Sequence, residues 1–205
     1  MSQLVIEPHY LGSLEYYALL LQYDTIHVEV CDRFKKQTFR NRSYFLTANT
    51  VLPLILPVSY SSKTLTKDVV VDHSQRWKKD HWGAFYSAYG KAPFFEYFSE
   101  MFSQVWGRES KFLVDINLAF LQLTLKLLQV DVNLAYTEKY MADAENDFRD
   151  SILPKKPYTD RKIYTPEPYS QLFGTTFVPN LSIVDLIMCE GPQAGQILAA
   201  SFLRK

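Results

Sequence analysis

Apolar and polar positions along the chain switch between two periods. Leu4, Val5 and Ile6 form a short apolar run that reads as a buried strand. Pro8 has no N–H to give to a ladder and is expected to stop it. Residues 11–23 change to a helical period, with Leu14, Tyr17, Ala18 and Leu21 on one face and Ser13 as the cap. Residues 25–30 alternate and are rich in β-branched side chains, which predicts a second strand. Strand, helix and strand in this order favour a parallel pair with a right-handed crossover.

Residues 38–60 are extended in character, and Pro53 and Pro57 push them to a sheet edge. A short strand is expected over 67–71. Helices follow. Over 75–89, Trp77, His81, Phe85 and Tyr89 recur every four residues and share a face. Gly90 closes this helix and Pro93 opens the next, on which Phe94, Phe98, Met101, Phe102 and Val105 form a stripe. A third helix from about residue 110 buries Phe112, Ile116, Ala119, Leu123 and Leu127. Residues 132–136 return to the sheet. The pattern fails over 141–161, which is polar and reads as a long exposed loop, a length usually functional or mobile. Ser182 and Asp185 then mark a helix start, and Gly191-Pro192 its end, before a last small-residue helix over 193–200. The expected fold is α/β: a single domain over 1–205, a small mixed sheet and flanking helices.

Composition narrows the function classes. With 22 basic and 22 acidic residues the formal charge is zero, which disfavours generic binding to nucleic acid or acidic membrane. Two cysteines, Cys31 and Cys189, make no disulfide framework and suit a reducing compartment. No apolar run approaches the length of a membrane span, and no secretory signal is visible, so a cytoplasmic protein without membrane insertion is expected. Seven glycines are scattered, with no phosphate loop, dinucleotide fingerprint or nucleophile elbow. The histidines at 9, 27, 73 and 81 include no pair spaced three or four apart. Neither a metal nor a cofactor is expected.

The candidate chemistry lies where the first strand ends and where the second leads into basic residues. His9, past a strand end and before a helix, is a candidate general base, against the plainer reading of a turn histidine bonded to backbone. Glu7 is a candidate partner, acid or base. Successive strand residues face opposite ways, so one of Glu7 and His9 is expected to enter a site. Lys36, Arg40, Asn41 and Arg42 can clamp a phosphate or carboxylate, or merely solvate a strand edge. Tyr10 joins the binding set. His81 with Trp77 and Tyr89 is a second candidate group, against the reading of an aromatic core. Cys31 is a candidate nucleophile of a hydrolase. Asn117, on the buried third helix, reads as a core hydrogen-bonding residue.

Several stretches carry a resemblance: EPHYLG near the start, KKQTFRNR after the second strand, Trp77 through AYGKAPFFEYF, VDIN at 114–117, and FVPNLSIVDLIMCEGP near the end. In this order they resemble the WbqC-like protein family of bacteria over nearly the whole chain. The resemblance implies a role in surface-polysaccharide synthesis of the O-antigen or lipopolysaccharide type. It also implies a transferase that moves an acyl or aminoacyl group onto an amino sugar. The family opening His-Gln-Pro-Asn-Tyr-Leu-Pro falls on residues 6–12, so that Ile6 stands at its histidine. Val30 and Cys31 stand at its acidic pair, with Asp32 one place late. The expected ligand is a nucleotide sugar or another anionic small molecule. The alternative is a non-catalytic binding or scaffold protein that kept the fold.

Overall fold

A computed structural model describes residues 2–202. Strand β1 (Gln3–Ile6), helix α1 (Leu14–Leu20) and strand β2 (Thr25–Val28) form the expected unit, and the two strands pair in parallel, Gln3 opposite Thr25 and Ile6 opposite Val28. Strand β7 (Asn133–Tyr136) joins the far edge of β2, also in parallel, so the sheet order is β1-β2-β7. The outer edge of β1 is also covered. Val5 N–H donates to the Asn146 carbonyl at 2.9 Å, and Phe148 N–H donates to the Val5 carbonyl at 2.9 Å. Residues 146–148 therefore run beside β1 as a further parallel segment.

The mixture of strand directions lies between sheets rather than within one. β3 (Arg42–Leu46) and β4 (Val51–Ile55) form an antiparallel hairpin, and β5 (Val58–Ser59) pairs with β6 (Val70–Val71) in the same sense. Pro53 sits in β4, which pairs with β3 on one side, the edge place a missing N–H requires.

Helices α2 (Trp77–Tyr89), α3 (Phe95–Gly107) and α4 (Leu113–Leu127) pack around an aromatic centre. Trp77, His81, Phe85 and Tyr89 are the buried stripe of α2, as the four-residue spacing predicts. Phe85 is fully buried, with ring centroids 5.1 Å from Trp106, 5.5 Å from Phe102 and 5.3 Å from Phe95. These are favourable separations for edge and offset ring contacts. Helix α5 (Ile183–Glu190) is capped by Ser182, whose hydroxyl accepts from Val184 N–H. It ends at Gly191 with φ 53°, where an added Cβ would lie 2.4 Å from the Phe94 ring. Helix α6 (Ala194–Ala200) follows.

The turn after β1 is held unusually firmly. Leu11 is buried in the left-handed region at φ 45°, a costly conformation for a side chain of its size. Its carbonyl accepts from Ser43 Oγ at 2.8 Å and from Ser182 Oγ at 2.9 Å. Two distant segments thus hold the β1–α1 connection. Residues 141–161 are irregular, as expected, but are not uniformly exposed. Ile152 is buried, and Arg161 forms a bidentate pair with the buried Glu15 of α1, Nε to Oε1 at 2.6 Å and Nη2 to Oε2 at 2.5 Å. Among the described residues, no helix is long and apolar enough to cross a membrane.

Candidate functional site

Chain segments leaving the carboxyl ends of parallel strands are where open α/β sheets place their ligands. Here β1 leads into Glu7, β2 into Glu29 and Asp32, β7 into Thr137, and the 146–148 segment into Arg149 and Asp150. Asp150 takes φ 57°, which Asp tolerates better than most residues. Its N–H donates to Glu7 Oε2 at 3.0 Å.

Arg40 is the hub. It lies in a 3-10 turn, Phe39–Asn41, and its carbonyl accepts from Asn117 Nδ2 at 2.7 Å. Its fully buried guanidinium donates to Asp32 Oδ2 at 2.5 Å, Asp150 Oδ1 at 3.0 Å and Glu7 Oε1 at 3.5 Å. A buried cation has to be paired in this way or it is prohibitively costly. Burial alone would raise the Glu7 pKa, but the His9 hydrogen bond and the Arg40 charge overcome it and hold the carboxyl at about 2. Asp32 shifts the other way. Burial raises it, and Arg40 and the Thr66 hydroxyl, which donates to Oδ1 at 2.5 Å, offset only part of that.

A second cluster lies beside the first. Glu29 is buried and accepts from Cys31 N–H at 2.9 Å, Thr137 Oγ1 at 2.7 Å, Met141 N–H at 3.0 Å and Arg149 Nη1 at 2.9 Å. Arg149 also binds Asp147, Nε to Oδ1 at 2.8 Å, and its guanidinium lies 4.3 Å from the Tyr140 ring centroid. Between the clusters opens a cleft of about 480 Å³, lined among others by Asp32, Arg33, Lys35, Tyr140, Arg149 and Asp150. Lys35 reaches across to pair with Asp150. Cations and carboxylates therefore alternate around the cleft. Several of them already pair with one another, Lys35 with Asp150 and Arg149 with Glu29 and Asp147.

The residues singled out in the sequence fall in three places. Glu7 and His9 converge, His9 Nε2 lying 3.3 Å from Glu7 Oε1. The expectation of opposite faces is corrected here, because residues two apart share a face. His9 is stacked on Tyr16 at 4.2 Å, its side chain has no exposure, and burial lowers its pKa. It stands behind Glu7 and is not part of the cleft wall.

Tyr10, Trp77 and His81 meet elsewhere. The Tyr10 hydroxyl accepts from Trp106 Nε1 at 2.8 Å and lies 2.7 Å from His81 Nδ1. Trp77 and His81 rings are 5.6 Å apart, while Tyr89 packs on Phe45 at 5.2 Å. Lys36, Asn41 and Arg42 are not brought together. Lys36 is exposed, Asn41 Nδ2 donates to the Leu56 carbonyl at 2.9 Å, and Arg42 Nη1 to Tyr44 Oη at 3.5 Å. Cys31 lines the cleft, its thiol donating to the Thr137 carbonyl at 3.4 Å.

Asp32, Arg33, Arg149 and Asp150 were not picked out as site residues from the sequence. For Arg149 and Asp150 the available signal was the run of charges over 143–150 in a stretch with no apolar period, which leaves those charges free to reach a distant site; for Asp32 it was its place one position past the family's acidic pair.

Fold and cleft together define a mixed α/β protein with an ion-paired cleft over the carboxyl edge of a small parallel sheet. The chain belongs to the WbqC-like protein family, whose model matches residues 7–156 and 158–197. That membership is consistent with an association with bacterial polysaccharide biosynthesis. No curated protein and no solved structure matches the chain.

Proposed function

We propose that this protein is a transferase of bacterial surface-polysaccharide biosynthesis that moves an acyl or aminoacyl group onto a nucleotide-linked amino sugar. The observation that carries the reading is Asp32, a carboxylate at the cleft edge whose pKa burial raises, beside Arg33 and Lys35. A base raised towards working pH accepts a proton more effectively than an ordinary carboxylate.

In this reading the sugar amine enters towards Asp32 and Asp150, and Arg33, Lys35 and Arg149 receive the diphosphate. The amine nitrogen forms a bond to the acyl carbon while Asp32 takes the proton. The bond from that carbon to the donor's leaving group breaks. Glu7 and His9 serve the step through Arg40, whose position fixes Asp32. The second reading, a non-catalytic binding protein, draws support from Ile6 at the family histidine position and from the ion pairs that already occupy Asp150.

The test is a screen of nucleotide-linked amino sugars with acyl and aminoacyl donors, followed by Asp32→Asn on any active pair. Turnover per folded molecule, with the folded fraction measured by urea unfolding of the variant, is expected to fall about 100-fold or more, the scale of a lost general base. Full activity in Asp32→Asn removes the assigned base. Wild-type protein that binds such sugars saturably and never turns them over establishes the binding-protein reading instead.

A further inference from the structure

The wall of the cleft over the sheet is charged except at Cys31, Leu65 and Tyr140. Tyr140 is the aromatic side chain of that wall and is 55% exposed. The other exposed tyrosines among the described residues, Tyr60, Tyr86, Tyr97 and Tyr136, do not border the cleft. A single exposed ring is ordinary on a protein surface, so exposure alone points to no ligand. What sets Tyr140 apart is how it is held.

Both sides of its chain position are tied to one buried carboxylate. Thr137 Oγ1 donates to Glu29 Oε1 at 2.7 Å, and Met141 N–H donates to Glu29 Oε2 at 3.0 Å. Residues 137–141 thus arch over Glu29, and Tyr140 stands next to the second tie. Its ring lies on the Arg149 guanidinium, with the centroid 4.3 Å from the guanidinium carbon, a separation at which a cation attracts a ring face. Arg149 is fixed in turn by Glu29 at 2.9 Å and Asp147 at 2.8 Å, and its side chain is 6% exposed. The guanidinium covers one face of the ring, so the ring's exposure falls on the opposite face and the edges. A ring fixed in advance costs a ligand little ordering.

We propose that Tyr140 is the stacking shelf for the base of a nucleoside diphosphate, and hence the residue by which this cleft selects a nucleotide-linked sugar over a plain sugar phosphate. The inference rests on the reading of the cleft as the site of a nucleotide-linked sugar. A planar base stacks on an aromatic ring whatever pattern its edge carries. Arg33 and Lys35 border the same cleft, with cations for the diphosphate. The cleft volume of about 480 Å³ lies within the range of small-molecule sites.

The probes are UDP, ADP, pyrophosphate and glucose 1-phosphate, titrated calorimetrically into the whole protein and into Tyr140→Leu and Tyr140→Phe. In Tyr140→Leu, UDP and ADP are expected to bind about tenfold more weakly, the scale of one lost base–aromatic stack. Pyrophosphate and glucose 1-phosphate stay within about twofold of the wild type. Tyr140→Phe keeps the ring and stays within about twofold for all four. The proposal is overturned if Tyr140→Leu weakens pyrophosphate as much as the nucleotides, which is the result of a ring that merely covers the Arg149–Glu29 pair. It is equally overturned if glucose 1-phosphate is the probe that responds, or if the nucleotides do not. Pyrophosphate that binds as tightly as UDP and ADP sinks the shelf alone. Absence of binding by all four probes sinks the reading of the cleft, and the shelf with it.

Discussion

The carboxyl-end cleft and the aromatic centre of α2, α3 and α4 solve the same problem of burying polar groups in opposite ways. At the cleft, Arg40 is buried as an ion and held by Glu7, Asp32 and Asp150. In the aromatic centre, Tyr10, His81 and Trp106 are buried as a neutral hydrogen-bonded chain among rings. A neutral chain needs only its partners. A buried ion needs counter-charges, and those come from three separate segments of the sequence. The cleft is therefore the part of the molecule whose order depends on charge, and the aromatic centre the part whose order depends on shape.

Removing the hub should have the largest effect. Arg40→Met leaves three carboxylates without their shared cation and is expected to destabilise by about 5 kcal/mol at pH 7, the upper end for breaking a buried pair. That loss should shrink as pH falls towards 4.5, because unpaired buried carboxylates take up protons readily. Phe85→Ala should cost about 4 kcal/mol, the range for deleting a buried ring, with no comparable change between pH 7 and 4.5. Urea unfolding of both variants across that range checks the contrast. Equal pH dependence in the two would dissolve the distinction between the regions.

A smaller effect separates the two histidine environments from the rest. Burial lowers His81 to about 4 and lowers His9 as well. An unfolded chain takes up protons on its imidazoles below about pH 6.5, and the folded chain does not. Stability is thus complete above that pH and is lost as pH falls through it, His81 contributing about 3 kcal/mol of loss by pH 4. Glu7, depressed to about 2, adds to the same trend between its ordinary value of about 4.5 and about 2. His81→Asn should flatten the fall between pH 6.5 and 4, measured as the urea midpoint at each pH. An unchanged slope would place the titration elsewhere.

Much of the fold was legible because its signals are local. The alternation over 25–30 and the four-residue recurrence from Trp77 to Tyr89 each arise within one element, and each element formed. The cleft was not legible, because its parts are not local. Arg40 was visible as a basic residue near a strand, but its partner Asp150 lies 110 positions away, and only the return of 146–148 alongside β1 brings the two together. For the same reason Lys36, Asn41 and Arg42 read as one anion clamp from spacing alone. Folding turns Asn41 to the Leu56 carbonyl and Arg42 to Tyr44, since neighbouring positions around a strand start diverge.

The sharpest contrast left is between cations in the cleft and cations beside it. Pyrophosphate titrated calorimetrically into the wild type, Arg33→Ala, Lys35→Ala and Lys36→Ala addresses it directly. If the cleft over the sheet is the ligand site, Arg33→Ala and Lys35→Ala each weaken binding about tenfold, the loss of one charge-assisted contact. Lys36→Ala then stays within about twofold of the wild type. Binding that survives both cleft substitutions and is lost with Lys36→Ala would contradict that placement of the site.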